Sequence, residues 1–100
     1  MSVMMTLRYT GDADKLEAFA KDKHALLMSI SDKAKQHGVL SHRFYASDNE
    51  LMVVDEWPSE EAFQAFFDAS PEISSVMQDS GATSRPTITF WRKLDTGDDV

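Results

Sequence analysis

The chain has 100 residues, of which 42% are hydrophobic and 27% are charged, and this length and composition predict one globular domain. Seventeen acidic residues outweigh ten basic ones, and the net charge of −7 argues against nucleic-acid binding because phosphates would be repelled. There is no cysteine for disulfides, thiolate chemistry or metal ligation, and no apolar run nears the about 18 residues of a membrane span, so we expect a cytoplasmic protein that contacts no membrane.

Glycines, prolines and short polar turns divide the chain into six predicted elements. Alternating side chains indicate strands, whereas apolar residues that recur at three- and four-residue steps indicate helices. In chain order the elements are strand 2–10, helix 14–37, strand 39–46, strand 51–57, helix 59–78 and strand 86–94.

The helix ends carry signals of their own. Asp14 is typical of an N-cap for the first helix, and Gly38 fits the left-handed residue that ends it. Ser59 predicts the N-cap of the second helix. We expect that helix to break near Ala69 and to restart at Pro71, because proline is favoured in a first helical turn.

The order β-α-β-β-α-β predicts an α+β, ferredoxin-like fold with a four-stranded antiparallel sheet and both helices on one face. Residues 1–94 would form this domain, and residues 95–100 an acidic, disordered tail. The strands carry apolar side chains on both faces, for example Met4 and Met5 on opposite sides and Trp91 in the last strand. An uncovered apolar face of that size predicts a homodimer, or a larger oligomer, formed sheet against sheet.

One pair of residues follows from the geometry of the central hairpin. If Asp48-Asn49 is a two-residue turn, His42 lies directly opposite Asp55, with Cβ atoms about 5 Å apart. An imidazole oriented by a carboxylate in an apolar setting suits a general base, and a structural cross-strand ion pair is the alternative. On the other face of the hairpin, Arg43 lies diagonal to Glu56, which predicts a salt bridge.

Four further side chains are candidates for contact with a small molecule. Lys23 interrupts the apolar stripe of the first helix, where its amine would line a pocket or its stem would cover apolar surface. Trp57 and Trp91 would stack on a flat ligand or anchor a core or interface. Phe66 belongs to an apolar helix stripe and would form core or a pocket wall. No histidine has a second ligand four residues on, so we expect no metal site.

The segment from residue 56 to residue 72 reads EWPSEEAFQAFFDASPE, with a strand that ends in Trp57, a cap at Ser59 and a Ser-Pro restart. This segment resembles the strand-to-helix signature of the antibiotic biosynthesis monooxygenase family. The order of elements over residues 2–94 is consistent with that group. The resemblance implies a dimeric α+β barrel, in which two sheets face each other and each subunit has a pocket between sheet and helices.

Some members of that family oxygenate aromatic hydroquinones or anthrones without metal or flavin. The resemblance therefore implies a monooxygenase with no cofactor and a small aromatic substrate. In this chain the base would be His42, oriented by Asp55, with Trp57 or Trp91 beside the aromatic rings. Such a mechanism also needs a stabiliser for the developing oxyanion and a dry pocket.

The sequence departs from the family pattern in two respects. Many relatives carry a histidine in the helix after the cap, where this chain has Phe66-Phe67. The haem-degrading branch uses an asparagine on the first strand and a tryptophan and a histidine on the second helix, and this chain has none of the three at those places, so we do not expect haem degradation. Tyr45 or Arg43 would be the alternative stabiliser of the developing oxyanion if the other sheet face lined the pocket. Because one fold hosts many functions, a non-catalytic ligand-binding or assembly module and an isomerase or cyclase are the alternatives.

Overall fold

Four strands pair into one antiparallel sheet in a computed structural model that describes all 100 residues. The spatial order of the strands is β2-β3-β1-β4, and this arrangement confirms the predicted α+β, ferredoxin-like fold. The strands are β1 (Val3–Thr10), β2 (Ser41–Ala46), β3 (Glu50–Trp57) and β4 (Thr87–Trp91). The helices are α1 (Ala13–Asp22), α2 (His24–Gln36), α3 (Glu60–Asp68) and α4 (Glu72–Asp79).

The helix-covered face of the sheet is its inner face, and alternation along each strand decides which residues reach it. Every second residue of β3 is buried, from Leu51 to Trp57, and β1 repeats the pattern through Met5 and Tyr9. The rings of Phe63 and Phe66 on α3 pack on the indole of Trp57, with centroids 5.7 and 5.3 Å away. Burial of each such ring contributes about 1.5–3 kcal/mol, so this aromatic group fixes α3 on the sheet.

The first helical segment differs from the prediction, which was one helix over residues 14–37. The backbone leaves helical geometry at Lys23, with φ −112° and ψ 37°, and divides the segment into α1 and α2. The apolar period continues across this residue, and no glycine or proline marks it, so the period could not reveal the break. The cap was also wrong by two positions, because the carboxylate of Asp12 accepts from the amides of Asp14 and Lys15 at 2.8 and 3.1 Å.

The other boundary signals are confirmed. Gly38 has φ +95°, a left-handed conformation that glycine adopts without a Cβ clash. Ser59 caps α3 by accepting from the amide of Ala62 at 3.1 Å. The second predicted helix breaks after Asp68 and resumes at Glu72, as expected from the Ser-Pro pair.

The central hairpin has the predicted register. The amide of Ser47 donates to the carbonyl of Glu50 at 2.9 Å, which closes the turn over two residues. His42 is therefore the cross-strand partner of Asp55, and Phe44 is that of Val53. This register places both site candidates on the inner face.

Candidate active site

A cavity of about 350 Å³ lies between the inner face of the sheet and the helices. This volume falls within the range of small-molecule sites, and 16 of its 21 wall residues are hydrophobic. The sheet contributes Met5, Leu7, Tyr9, His42, Phe44, Val53 and Asp55; the helices contribute Leu16, His24, Leu27, Met28, Ile30, Ser31, Ala34, Phe63, Phe66, Phe67, Ile73, Val76 and Met77, with Ser80 just after α4.

Asp55 is the polar centre of the cavity wall. Its side chain is only 6% exposed, and both of its carboxylate oxygens accept a hydrogen bond. Oδ1 is 2.7 Å from Nδ1 of His42, and Oδ2 accepts from the indole Nε1 of Trp57 at 3.1 Å. The two contacts satisfy a carboxylate that would otherwise be costly to bury.

These contacts also decide which nitrogen of His42 is free. A carboxylate oxygen only accepts, so Nδ1 carries the hydrogen and Nε2 of the neutral ring keeps its lone pair. The imidazole is 41% exposed, which leaves it open to a ligand, and its edge contacts the Phe44 ring at a centroid distance of 5.2 Å. A held imidazole with a free lone pair beside an apolar cavity can accept a proton from a bound molecule.

The other predicted contact residues occupy different positions. Phe66 lines the cavity, as a substrate-binding residue would. Trp57 is fully buried behind the wall, where its indole positions Asp55. Trp91 lies on the opposite sheet face and donates to Oγ1 of Thr6 at 2.9 Å. Lys23 is exposed at the helix break and is absent from the cavity wall, because the break turns it away from the apolar stripe.

The outer face of the sheet, opposite the helices, has a different ion pair from the predicted one. Arg43 makes no salt bridge with Glu56, whose carboxylate instead accepts from the hydroxyl of Ser2. Arg8 pairs with Glu50 at 3.8 Å. Alternation along the strands predicted which face these residues occupy. It could not predict the ion pairs, because each long side chain can contact several charged neighbours.

Lys33 links the helices that cover the cavity through two hydrogen bonds. Nζ of Lys33 on α2 donates to the carbonyl of Ala69 at 2.9 Å and to Oε2 of Glu72 at 2.8 Å. The hydrogen bond from Lys33 lowers the pKa of Glu72, with a further contribution from the backbone. This contact joins α2 to the junction between α3 and α4 above the cavity.

Tyr9 is a wall residue that sequence reasoning did not single out. The residue is 4% exposed, and burial raises the pKa of its phenol above the ordinary value of 10.0. The alternation of β1 placed it on the inner face, but nothing in the sequence showed that the helices leave space beside it.

The raised pKa of Tyr9 predicts a measurable titration. In the Tyr45→Phe variant, Tyr9 is the remaining tyrosine, and its ultraviolet tyrosinate absorbance should appear at higher pH in the folded protein than in guanidinium. The pKa of Tyr9 is higher in the folded state than in the unfolded state. The stability that Tyr9 contributes is therefore fully present below its pKa in the unfolded state, and it is lost as the pH rises through its pKa in the folded state. Coincident folded and unfolded titrations would show that the phenol is not desolvated.

No group of three or more histidine, cysteine, aspartate or glutamate side chains is placed to hold a metal ion. None of the four helices has the length and apolar character that crossing a membrane requires.

Comparison with solved structures finds proteins of the same ferredoxin-like fold, some of which are described as oxygenases. A monooxygenase from the ActVA-Orf6 gene of Streptomyces coelicolor, in complex with Nanaomycin D, superposes with a TM-score of 0.68 at 16% identity over 95% of this chain and 89% of that one. SnoaB, a cofactor-independent oxygenase from Streptomyces nogalater, gives 0.64 at 15% identity over 98% of both chains. A dimeric ferredoxin-like protein from an uncultured marine organism gives 0.65 at 13% identity over 94% and 89%.

Similarity to known proteins is found in the structure and not in the sequence. No family model matches the chain, and no curated protein matches it. Antibiotic biosynthesis monooxygenases are among the matching structures, so the resemblance inferred from residues 56–72 is confirmed at the level of the fold. At these identities the likeness establishes a shared ferredoxin-like architecture.

Proposed function

We propose that the protein is a cofactor-independent monooxygenase that acts on a small aromatic substrate of the hydroquinone or anthrone type. The observation that carries this proposal is the His42–Asp55 pair on the wall of an apolar cavity. The neighbouring structures add support, since one is described as a monooxygenase with a bound ligand and another as a cofactor-independent oxygenase.

The reaction needs one proton acceptor and a site poor in water. Nε2 of His42 takes the acidic proton of the substrate, and the buried carboxylate of Asp55 stabilises the imidazolium that forms. The substrate anion then transfers one electron to O2, and the two radicals combine into a carbon-bound peroxide. This peroxide takes the proton back from the imidazolium of His42 and becomes the hydroperoxide. For an anthrone, loss of water leaves a quinone carbonyl, so that one O2 and the two hydrogens of the reacting carbon give one carbonyl oxygen and one water. Apolar walls such as Phe66 limit side reactions of these intermediates with water.

Oxygen uptake tests this function. Wild-type protein, treated with a chelator and freed of small molecules, should consume one O2 for each quinone that has gained an oxygen atom, with a panel of anthrones and hydroquinones as substrates. The rate should exceed spontaneous oxidation in buffer, and turnover should stop under argon. A rearranged product without O2 uptake would instead indicate an isomerase or cyclase, and binding without any product would indicate a ligand-binding module. Either result would refute the monooxygenase.

The same proposal includes a homodimer formed through the outer face. The exposed fractions there are 37% for Met4, 52% for Tyr45 and 53% for Trp91, and the half-buried Val54 lies at the centre of the face. Burial of such side chains favours association at about 25 cal/mol per Å² of apolar area. The matching structure described as a dimeric ferredoxin-like protein supports this arrangement.

The dimer predicts a solution mass of twice 11.3 kDa by light scattering. Val54→Lys, which places a cation next to Arg43 at the centre of the outer face, should shift the mass toward 11.3 kDa. Ala18→Lys makes a similar change on the exposed side of α1 and should leave the mass unaltered. A folded wild-type particle of 11.3 kDa at micromolar concentration would contradict the dimer.

A further inference from the structure

A phenol hydroxyl without a partner lies on the cavity wall. Tyr9 lines the cavity, and its hydroxyl takes part in none of the hydrogen bonds within the chain. Oε1 of Glu72 is the one fully buried side-chain oxygen or nitrogen without a hydrogen-bond partner. The Tyr9 hydroxyl also lacks a partner, so its oxygen is not fully buried. A hydroxyl that has no hydrogen-bond partner and is accessible can form a hydrogen bond with a molecule in the cavity that Tyr9 lines.

The backbone position of Tyr9 lies far along the sheet from that of His42. Tyr9 is four residues along β1 from Met5, which pairs with Asp55, and Asp55 in turn pairs with His42. Four residues of strand span about 13 Å and two strand spacings about 10 Å, which puts the α-carbons of Tyr9 and His42 about 16 Å apart on one sheet face. A molecule of several fused rings can extend along the sheet between these two positions.

The wall between these two residues is apolar. Leu7 and Val53 occupy the intervening register positions on β1 and β3, and the helices close the space with side chains such as Met77. The hydroxyl of Ser80, near the end of α4, already donates to the carbonyl of Met77 at 3.1 Å. Tyr9 is therefore a free donor with which a ligand in this part of the cavity can form a hydrogen bond.

We propose that Tyr9 is a specificity-determining residue that donates a hydrogen bond to a carbonyl oxygen at the end of the substrate remote from His42. The inference rests on the proposed function and narrows the substrate class to elongated polycyclic aromatics with an acidic hydroxyl at one end and a carbonyl at the other. Burial, which raises the pKa of Tyr9, keeps the phenol a donor at neutral pH. One neutral hydrogen bond of this kind contributes about 0.5–1.5 kcal/mol, or up to about tenfold in affinity.

Two tricyclic probes test this role by calorimetric titration under argon. Both have a phenol on one terminal ring; the other terminal ring is saturated and carries a ketone in the first probe and a methylene in the second. Wild-type protein should prefer the ketone by up to about tenfold, and Tyr9→Phe should bind both probes alike, with its affinity for the methylene probe unchanged. Tyr45→Phe is the matched control, because it removes the same hydroxyl from the outer face, and it should keep the preference.

The outcomes separate this inference from the proposed function. If wild-type protein and Tyr9→Phe both bind the two probes with the same ratio of affinities, Tyr9 does not recognise the carbonyl, while the aromatic site stands. If neither probe binds wild-type protein, the aromatic site itself is wrong, and the role of Tyr9 is refuted with it. Thermal unfolding of Tyr9→Phe, which keeps the buried ring, checks that the variant folds.

Discussion

Replacement of His42 by glutamine is expected to lower kcat for oxygenation by about 10²- to 10⁴-fold, the usual contribution of a positioned general base. The amide of glutamine can still donate to Asp55, so the buried carboxylate keeps its two partners and the fold should persist. The imidazole is 41% exposed, and its loss removes little of the core.

The measurement is kcat against pH, together with the affinity for a substrate analogue under argon. The pH profile of the wild type should show the limb of a group that must be unprotonated, and the variant should lack this limb. His37→Gln makes the same change at a histidine outside the cavity wall, one that contacts the edge of Phe66, and it should retain nearly wild-type kcat. Unchanged kcat in His42→Gln would exclude His42 as the base.

Asp55→Asn is the second substitution with a large expected effect. The asparagine amide can donate to Nδ1 of His42 while its oxygen still accepts from Trp57, and this arrangement moves the ring hydrogen to Nε2, where it blocks the base. We expect kcat to fall toward that of His42→Gln, by about 10²-fold or more, with a much smaller loss of stability.

Two readouts distinguish positioning from a purely structural role. Nitrogen-15 NMR should report the Nδ1–H tautomer of His42 in the wild type and the Nε2–H tautomer in Asp55→Asn. The double variant should be scarcely slower than either single one, because both remove the same function. Glu56→Gln, the same chemical change on the outer face, should alter neither the tautomer nor kcat. An unchanged tautomer in Asp55→Asn would contradict the role of Asp55.

The sequence predicted those parts of the site that depend on local geometry. The two-residue turn at Asp48-Asn49 sets the parity of the hairpin, and parity alone brings His42 opposite Asp55 on the inner face. The same alternation puts Trp57 on the face of Asp55. What alternation could not give was the rotamer that turns the Trp57 indole away from a ligand and onto Oδ2.

Features that depend on packing between distant segments could not be predicted from the sequence. The break occurs at Lys23, and the apolar period resumes beyond it with no glycine or proline between, so the stripe predicted a single helix and an amine beside the pocket. The cavity exists because the helices leave a gap above β1, β2 and β3, and the side chains that line that gap belong to separate segments of the chain. Tyr9 acquires its importance from this gap, and no local pattern encodes it.

A crystal structure of the protein with a hydroxylated anthrone, grown under argon, examines the site directly. The aromatic rings should lie between the sheet and the helices against Phe66, with a substrate hydroxyl within hydrogen-bond distance of Nε2 of His42. An anthrone ordered on the outer face, or held in the cavity beyond the reach of His42, would contradict an active site at this position.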